Sequence, residues 1–359
     1  MRVMTIFGTR PEIIRLSAVM PRLDDSCDHV TINTGQNFQD SLNSIFLKDL
    51  RIRTPDRHLQ IESHSFAAQA SELFLKIDRA ISDILPDRIL ILGDTNSALS
   101  SIVAARRGVP VFHMEAGNRC YDDRVPEEIN RRLVDHTSTK LLPYTENSRR
   151  NLLREGIGFE RIEVTGNPIL EVINTFSGEI ENSGALNNLG LTNKDYFLVT
   201  AHRAENVDIP ERLRSLVEVL QKVYRRFRFP VIVSVHPRTR AQLDKHGLGL
   251  ASEGIVFLEP LPFFDFIKLE KNALAVLSDS GTVQEECCIF KVRNLTLRDV
   301  TERPETIDCG SNVLCGVSPD RVIGELERLV EREPAWTPPE EYLRENVSEA
   351  VCRIVLGEI

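Results

Sequence analysis

The stretch ILILGDTNSALSSIVAARRGVPVFHME, residues 89–115, constrains the fold more than any other part of the chain. A short β-branched run ends in Gly-Asp, an amphipathic segment follows at helical spacing, and a second apolar run closes it. Strands without polar alternation are buried on both faces, as in a parallel sheet covered by helices. The alternation recurs. VMTIFG precedes IIRLSAVMPRL, HVTINTG precedes FQDSLNSIFL, and KLLPYT precedes ENSRRNLLREG. It restarts with YFLVTAH, VIVSVHP, IVFLEP, ALAVLSDSG and VRNLTL. We read an α/β chain of two doubly wound domains.

A length of 359 residues exceeds what a single core holds comfortably, which agrees with two domains. Residues 177–195, rich in Ser, Gly, Asn and acids, lack an apolar period and read as the linker. The boundaries then fall at 1–176 and 177–339. A final amphipathic stretch within 340–359 reads as a helix crossing back to the first domain. The N-terminus runs directly into a strand, and no apolar stretch approaches membrane-spanning length, so we expect a cytoplasmic protein without membrane insertion. Seven scattered cysteines with no CxxC pair argue against a disulfide framework and a zinc site; no metal is expected, and the cysteines read as packing residues. A net charge of −9 disfavours nucleic acid as a partner.

Ligands of open α/β sheets bind beyond the carboxyl ends of the strands, so the residues that follow each apolar run are the candidates. In the first domain these are Gly8-Thr9-Arg10, Gly35-Gln36-Asn37, Gly93-Asp94-Thr95 and Glu115-Ala116-Gly117. In the second they are His202-Arg203, His236-Pro237-Arg238 and Ser278-Asp279-Ser280-Gly281-Thr282. Two facing sheets would gather them at one interdomain cleft. DSGTVQEE suits a diphosphate: small residues admit backbone N–H groups to phosphate oxygens, and a helix N-terminus follows. Glu286, one turn along, could accept both hydroxyls of a ribose. An Asp-capped turn is the alternative reading of SDSG. Arg10, Arg15 and Arg303 supply cations for phosphate. Asp94, Glu115 and Glu127, with His202, could provide an acid and a base, since neighbouring carboxylates push their pKa values apart. Glu128 reads as solvated or capping, and Cys120 as a small packing residue. No P-loop, GxSxG or HExxH is present, and GLGLAS at Gly247 precedes a strand instead of following one.

In order and spacing, GTRPEIIRLS, GDTNS, HMEAGN with VPEEINRR, TAHRAENVD, and SDSGTVQEE with RDVTERPE resemble the non-hydrolysing UDP-N-acetylglucosamine 2-epimerase family across residues 2–316. The resemblance implies a GT-B type fold, two Rossmann-like domains facing a cleft, a UDP-sugar substrate, no cofactor, and a homodimer. It implies inversion at C2 by anti elimination of UDP to a 2-acetamidoglucal, followed by re-addition. By the same resemblance Asp94, Glu115 and Glu127 are the catalytic carboxylates and His202 the active-site histidine. Arg10, Arg15 (where the family usually has lysine), Phe266, Ser280, Gly281, Thr282 (in place of a glycine), Glu286 and Arg303 hold the UDP-sugar. Asn130 and Arg131 orient Glu127.

The chain departs from the usual EAGLRTG, carrying EAGNRCYDDR; it also carries SVHPRTR in place of HLNP, a departure that bears on the allosteric activation by UDP-GlcNAc described for bacterial members. GTRPEIIRLS, GQN, EAGNRC and QEECCIF resemble more closely the branch that converts UDP-2-acetamido-2,6-dideoxy-L-talose to UDP-N-acetyl-L-fucosamine for surface polysaccharides. Sugar discrimination is then expected around Asn118 and residues 119–124. UDP-GlcNAc/UDP-ManNAc epimerisation is the alternative. A GT-B glycosyltransferase would need an acceptor but not these acids. A non-catalytic sugar-nucleotide sensor would not need them either, and a dehydrogenase lacks its dinucleotide fingerprint.

Overall fold

The computed structural model describes residues 1–35, 46–61, 63, 65–248 and 253–358. Gln36 and Asn37 lie outside them. The chain divides into two compact units, Met1–Asn174 with Glu340–Ile359, and Thr175–Pro339.

The first unit carries six parallel strands: β1 (Arg2–Phe7), β2 (Asp28–Asn33), β3 (Arg57–His58), β4 (Arg88–Leu92), β5 (Val111–Met114) and β6 (Lys140–Leu142). Their order is β3-β2-β1-β4-β5-β6. The second unit repeats the plan with β7 (Phe197–Thr200), β8 (Val231–Ser234), β9 (Ile255–Leu258), β10 (Ala275–Ser278), β11 (Arg293–Thr296) and β12 (Asn312–Leu314), ordered β12-β11-β10-β7-β8-β9. Both sheets therefore reverse direction between their first and fourth strands, β1/β4 and β7/β10. Such reversals leave a crevice at the carboxyl ends, where ligands of these sheets bind.

The apolar runs fill both faces of the sheets. In the second unit Phe197, Val199, Val231, Val233 and Leu277 belong to one buried cluster, while Leu198, Ile232 and Val276 belong to another. Successive residues of a strand point to opposite faces, so unbroken apolar runs build two cores at once. Each such buried side chain contributes roughly 1.5–3 kcal/mol. In the first unit Ile6, Ile32, Ile89 and Ile91 pack against Leu73, Ile77 and Ile81 of the Phe66–Ile84 helix.

One reading needs correction. Residues 177–195 do not form an open linker: they hold the Ser177–Glu181 and Ala185–Asn188 helices, with Ile180 and Ala185 buried. Glu181 receives hydrogen bonds from Lys268 and Lys271 at 2.7 and 2.6 Å, which fasten the segment to the Phe263–Asn272 helix. One-turn helices are too short to show an apolar period, so composition misled. The edge strands β3 and β12 escaped the pattern for the same reason. In the first unit the Val347–Leu356 helix is tied down by Ser348, whose N–H donates to Glu171 at 2.8 Å. Among the described residues no helix is long and apolar enough to cross a membrane.

Candidate active site

In the first unit the reversal between β1 and β4 is spanned by one buried carboxylate. Glu12, 2% exposed, accepts from the N–H groups of Gly8 (2.6 Å) and Thr9 (2.8 Å), and from Thr95 Oγ1 (2.5 Å). Thr9 and Glu12 form a capping box on the Arg10–Leu16 helix, and Thr95 stands beside Asp94. Loss of hydration pushes the Glu12 carboxyl up to about 7, against these hydrogen bonds. Arg10 is half-buried at the same helix start, its guanidinium 5.9 Å from the Phe46 ring centroid, and burial lowers its pKa.

Asp94 and Glu115 leave adjacent strands whose ends are in register, Leu92 opposite Met114. Asp94 accepts from Arg131 Nε (3.0 Å) and Nη2 (2.6 Å), while its backbone carbonyl accepts from Asn130 at 3.0 Å. Asn130 and Arg131 thus engage Asp94, where the sequence suggested Glu127. Arg131 is 2% exposed and also donates to Glu128 at 2.8 Å.

Glu128 is fully buried, not solvated. It accepts the N–H groups of Cys120 and Tyr121, both at 3.0 Å, and so folds the loop back onto the Pro126–Thr137 helix. Those bonds and Arg131 hold its carboxyl below the usual range despite lost hydration. Cys120 accordingly belongs to this polar loop, its thiol 3.3 Å from Glu128 Oε2. Glu127 is partly exposed in the first turn of the same helix.

Glu115 adopts φ +64°, a left-handed conformation unusual for a side-chain residue. Its Oε1 accepts from Asn118 at 3.2 Å, and its Oε2 lies 3.9 Å from Arg15 Nε. Arg15 is almost wholly buried, so its charge is spent close to Glu115. Beneath this bend, His113 and Asp135 are both fully buried and 2.9 Å apart, and Arg119 Nη2 is 2.8 Å from Asp135. Asp135 also accepts the Gly117 N–H at 3.1 Å. Gly117 has φ +79°, and a Cβ there would meet the Ser148 carbonyl oxygen at 2.3 Å. The bend that aims Glu115 therefore needs glycine.

The second unit also has a buried carboxylate across its reversal. Asp279 accepts from the backbone N–H groups of His202 (3.0 Å) and Arg203 (2.9 Å) and from Asn206 Nδ2 (3.0 Å), so it ties β10 to β7. The N-cap of the Gly281–Phe290 helix is Ser280, which sets aside the Asp-cap reading. His202 Nδ1 lies 3.4 Å from Asp279, and loss of hydration lowers its pKa while Asp279 works to raise it. Its ring centroid is 5.5 Å from that of His236.

Ser280 Oγ and Thr282 Oγ1 are 3.0 Å apart at the helix start, and a Cβ on Gly281 would sit 3.1 Å from Glu302 Oε1. Arg303 is buried and bonded through Nε to Glu285. Glu286, 4% exposed, faces the fully buried Glu270, whose carboxyl is held well above its ordinary value by burial and then by Glu286. Phe266 packs partly buried against the cluster of Leu198 and Val276.

The first unit thus offers fixed carboxylates and the second a phosphate-type helix start with buried arginines nearby. Among the described residues no cluster of three or more His, Cys, Asp or Glu could hold a metal ion. Sequence reasoning missed Glu12 and Glu270, and it placed Asp279 at a strand end without its partners; Glu12 and Asp279 stood in the quoted motifs, but only the strand order shows what they join.

Residues 22–356 match the family model described as UDP-N-acetylglucosamine 2-epimerase. A UDP-N-acetylglucosamine 2-epimerase of Methanocaldococcus jannaschii is 39% identical, over 94% of this chain and 95% of that protein. A crystal structure of the M. jannaschii UDP-GlcNAc 2-epimerase in complex with UDP-GlcNAc and UDP superposes with a TM-score of 0.95 at 37% identity, covering 99% of this chain and all of that one. A UDP-2,3-diacetamido-2,3-dideoxy-D-glucuronate 2-epimerase of Pseudomonas aeruginosa is 35% identical over 90% of both chains.

Proposed function

Since this chain belongs to the UDP-N-acetylglucosamine 2-epimerase family, a family of isomerases, we propose that it inverts C2 of a UDP-linked 2-acetamido sugar. C2 is not adjacent to a carbonyl, so simple deprotonation is too difficult. Anti elimination of UDP to a 2-acetamidoglucal, then re-addition to the other face, avoids that carbanion. A carboxylate acting as base removes the C2 proton, and a protonated carboxyl returns one on the other face. Asp94, Glu115 and Glu127 take these roles, with His202 at the departing diphosphate. Ser280, Gly281, Thr282 and the helix they begin receive the diphosphate, assisted by Arg10. Glu286 receives the ribose, and Phe266 lies by the uracil.

The observation that carries this reading is the pair of carboxylates leaving adjacent strand ends, each fixed by its own partner: Asp94 by Arg131, Glu115 by Asn118. Glycosyl transfer to an acceptor has no need of two such acids. Glu115→Gln should lower C2 exchange by at least about a hundredfold, the contribution of a positioned acid or base. UDP affinity by calorimetry should stay within a few-fold. Loss of UDP binding with a preserved fold would contradict the assignment.

The finer reading is UDP-2-acetamido-2,6-dideoxy-L-talose as substrate. Its support is Asn118, which stands where leucine is usual and places an amide on Glu115. UDP-GlcNAc is the alternative, and the differing substrates named for the M. jannaschii and P. aeruginosa relatives show how widely sugars vary at this level of identity. Proton NMR on a panel of UDP-GlcNAc and UDP-6-deoxy sugars decides: turnover of UDP-GlcNAc alone would reject the 6-deoxy assignment.

A further inference from the structure

Cys288 lies on the Gly281–Phe290 helix, and Cys309 directly follows the Pro304–Asp308 helix. Both thiols are free, and their sulfurs are 3.7 Å apart, about 1.7 Å more than a disulfide bond. Cys288 is fully buried, whereas Cys309 is partly open. The adjacent Cys287 is turned elsewhere, its thiol donating to Glu270 at 3.2 Å. Cys309 also has Ser311 Oγ at 3.4 Å and the Thr306 carbonyl at 3.5 Å. Trp336 Nε1 donates to the Cys288 carbonyl at 3.0 Å, holding that part of the helix in place.

We propose that Cys309 and Cys288 form a hydroperoxide-reactive dithiol that closes to a disulfide, with Cys309 as the attacking sulfur and Cys288 as the resolving one. Exposure sets these roles, because an oxidant reaches Cys309 from solvent while Cys288 is shielded. The hydrogen bond shared with Cys288 holds the Cys309 thiol below its ordinary value, which raises its reactive thiolate fraction. In the first step the Cys309 thiolate attacks a peroxide oxygen: S–O forms, O–O breaks, the sulfur gives up two electrons, and hydroxide or alkoxide departs. In the second step the Cys288 sulfur attacks that sulfenic acid. S–S forms, S–O breaks, and the departing hydroxide takes the Cys288 proton to become water. Closure joins the helix that carries Glu285 to the segment that begins at Arg303, two residues already bonded to each other.

The test treats the full-length chain with hydrogen peroxide and follows it by intact mass and peptide mapping. The expected product has lost two hydrogens, links the peptides of Cys288 and Cys309, and reverts with a phosphine reductant. Cys309→Ser should abolish the link. Cys288→Ala should instead leave one added oxygen on Cys309, trapped by dimedone, and circular dichroism must show both variants folded. Stepwise oxygen addition to Cys309 in the unsubstituted chain, without loss of two hydrogens, would overturn the proposal. So would a bridge that persists in Cys309→Ser.

Discussion

Arg131→Met tests the clamp on Asp94, since one guanidinium there serves two carboxylates. Nε and Nη2 bond Asp94 and Nη1 bonds Glu128, with only 2% of Arg131 open to solvent. Removing one partner of a buried ion pair costs about 3–5 kcal/mol, because the other charge stays buried. Glu128 would keep the Cys120 and Tyr121 N–H groups and the outer Arg132 at 3.1 Å. That places the loss near the lower end, about 3 kcal/mol. For a unit of this size one kilocalorie moves the melting midpoint by about 2–4 °C, so the expected fall is about 6–12 °C. The assay is calorimetry and urea unfolding of Arg131→Met, Glu128→Gln and the double variant. If uncompensated charge is the cause, Glu128→Gln should recover part of the loss, with a coupling energy of about 1–3 kcal/mol. A loss under about 1 kcal/mol with strictly additive effects would refute the reasoning.

Gly117→Ala should destabilise by about 2–4 kcal/mol, combining a left-handed backbone with the 2.3 Å approach to Ser148, and should cut activity more than UDP affinity; unchanged urea unfolding would count against it. Glu12 sets a pH dependence. Its folded-state carboxyl, about 7, lies above the ordinary value of 4.5, so the folded chain holds the extra proton between these limits. Stability should therefore decline by up to about 3 kcal/mol as pH rises through that window and level off above it. Glu12→Gln should flatten the decline, and a pH profile identical to that of the unsubstituted chain would reject the assignment. Asp279→Ala strands the His202 and Arg203 N–H groups and should destabilise the second unit by about 2–4 kcal/mol while leaving the melting transition of the first unit in place; equal losses in both units would argue against it.

Strand positions were legible because a buried parallel strand needs an unbroken apolar run, and β1, β4, β7 and β10 each have one. Residues just past these runs then had to stand at the carboxyl edge, which is where Asp94, Glu115, His202 and Ser280 are found. Side-chain partnership was far less legible. Glu127 and Glu128 are chemically identical neighbours, and only the fold-back of residues 118–121 decides which is buried. Arg131 meets Asp94 across 37 positions, a contact no local spacing encodes. Arg15 and Arg303 read as cations open to phosphate, but the fold buries each beside a glutamate. Cys288 and Cys309, twenty-one positions apart, looked like separate packing residues until the Pro304–Asp308 helix brought them together.

The most direct measurement is proton NMR and mass spectrometry of a UDP-2-acetamido sugar incubated with the protein in D₂O without any acceptor. The account predicts deuterium at C2 in both epimers, followed by slow appearance of free UDP and a 2-acetamidoglucal. Epimerisation that retains the original C2 hydrogen, or turnover that begins only when an acceptor is added, would contradict it.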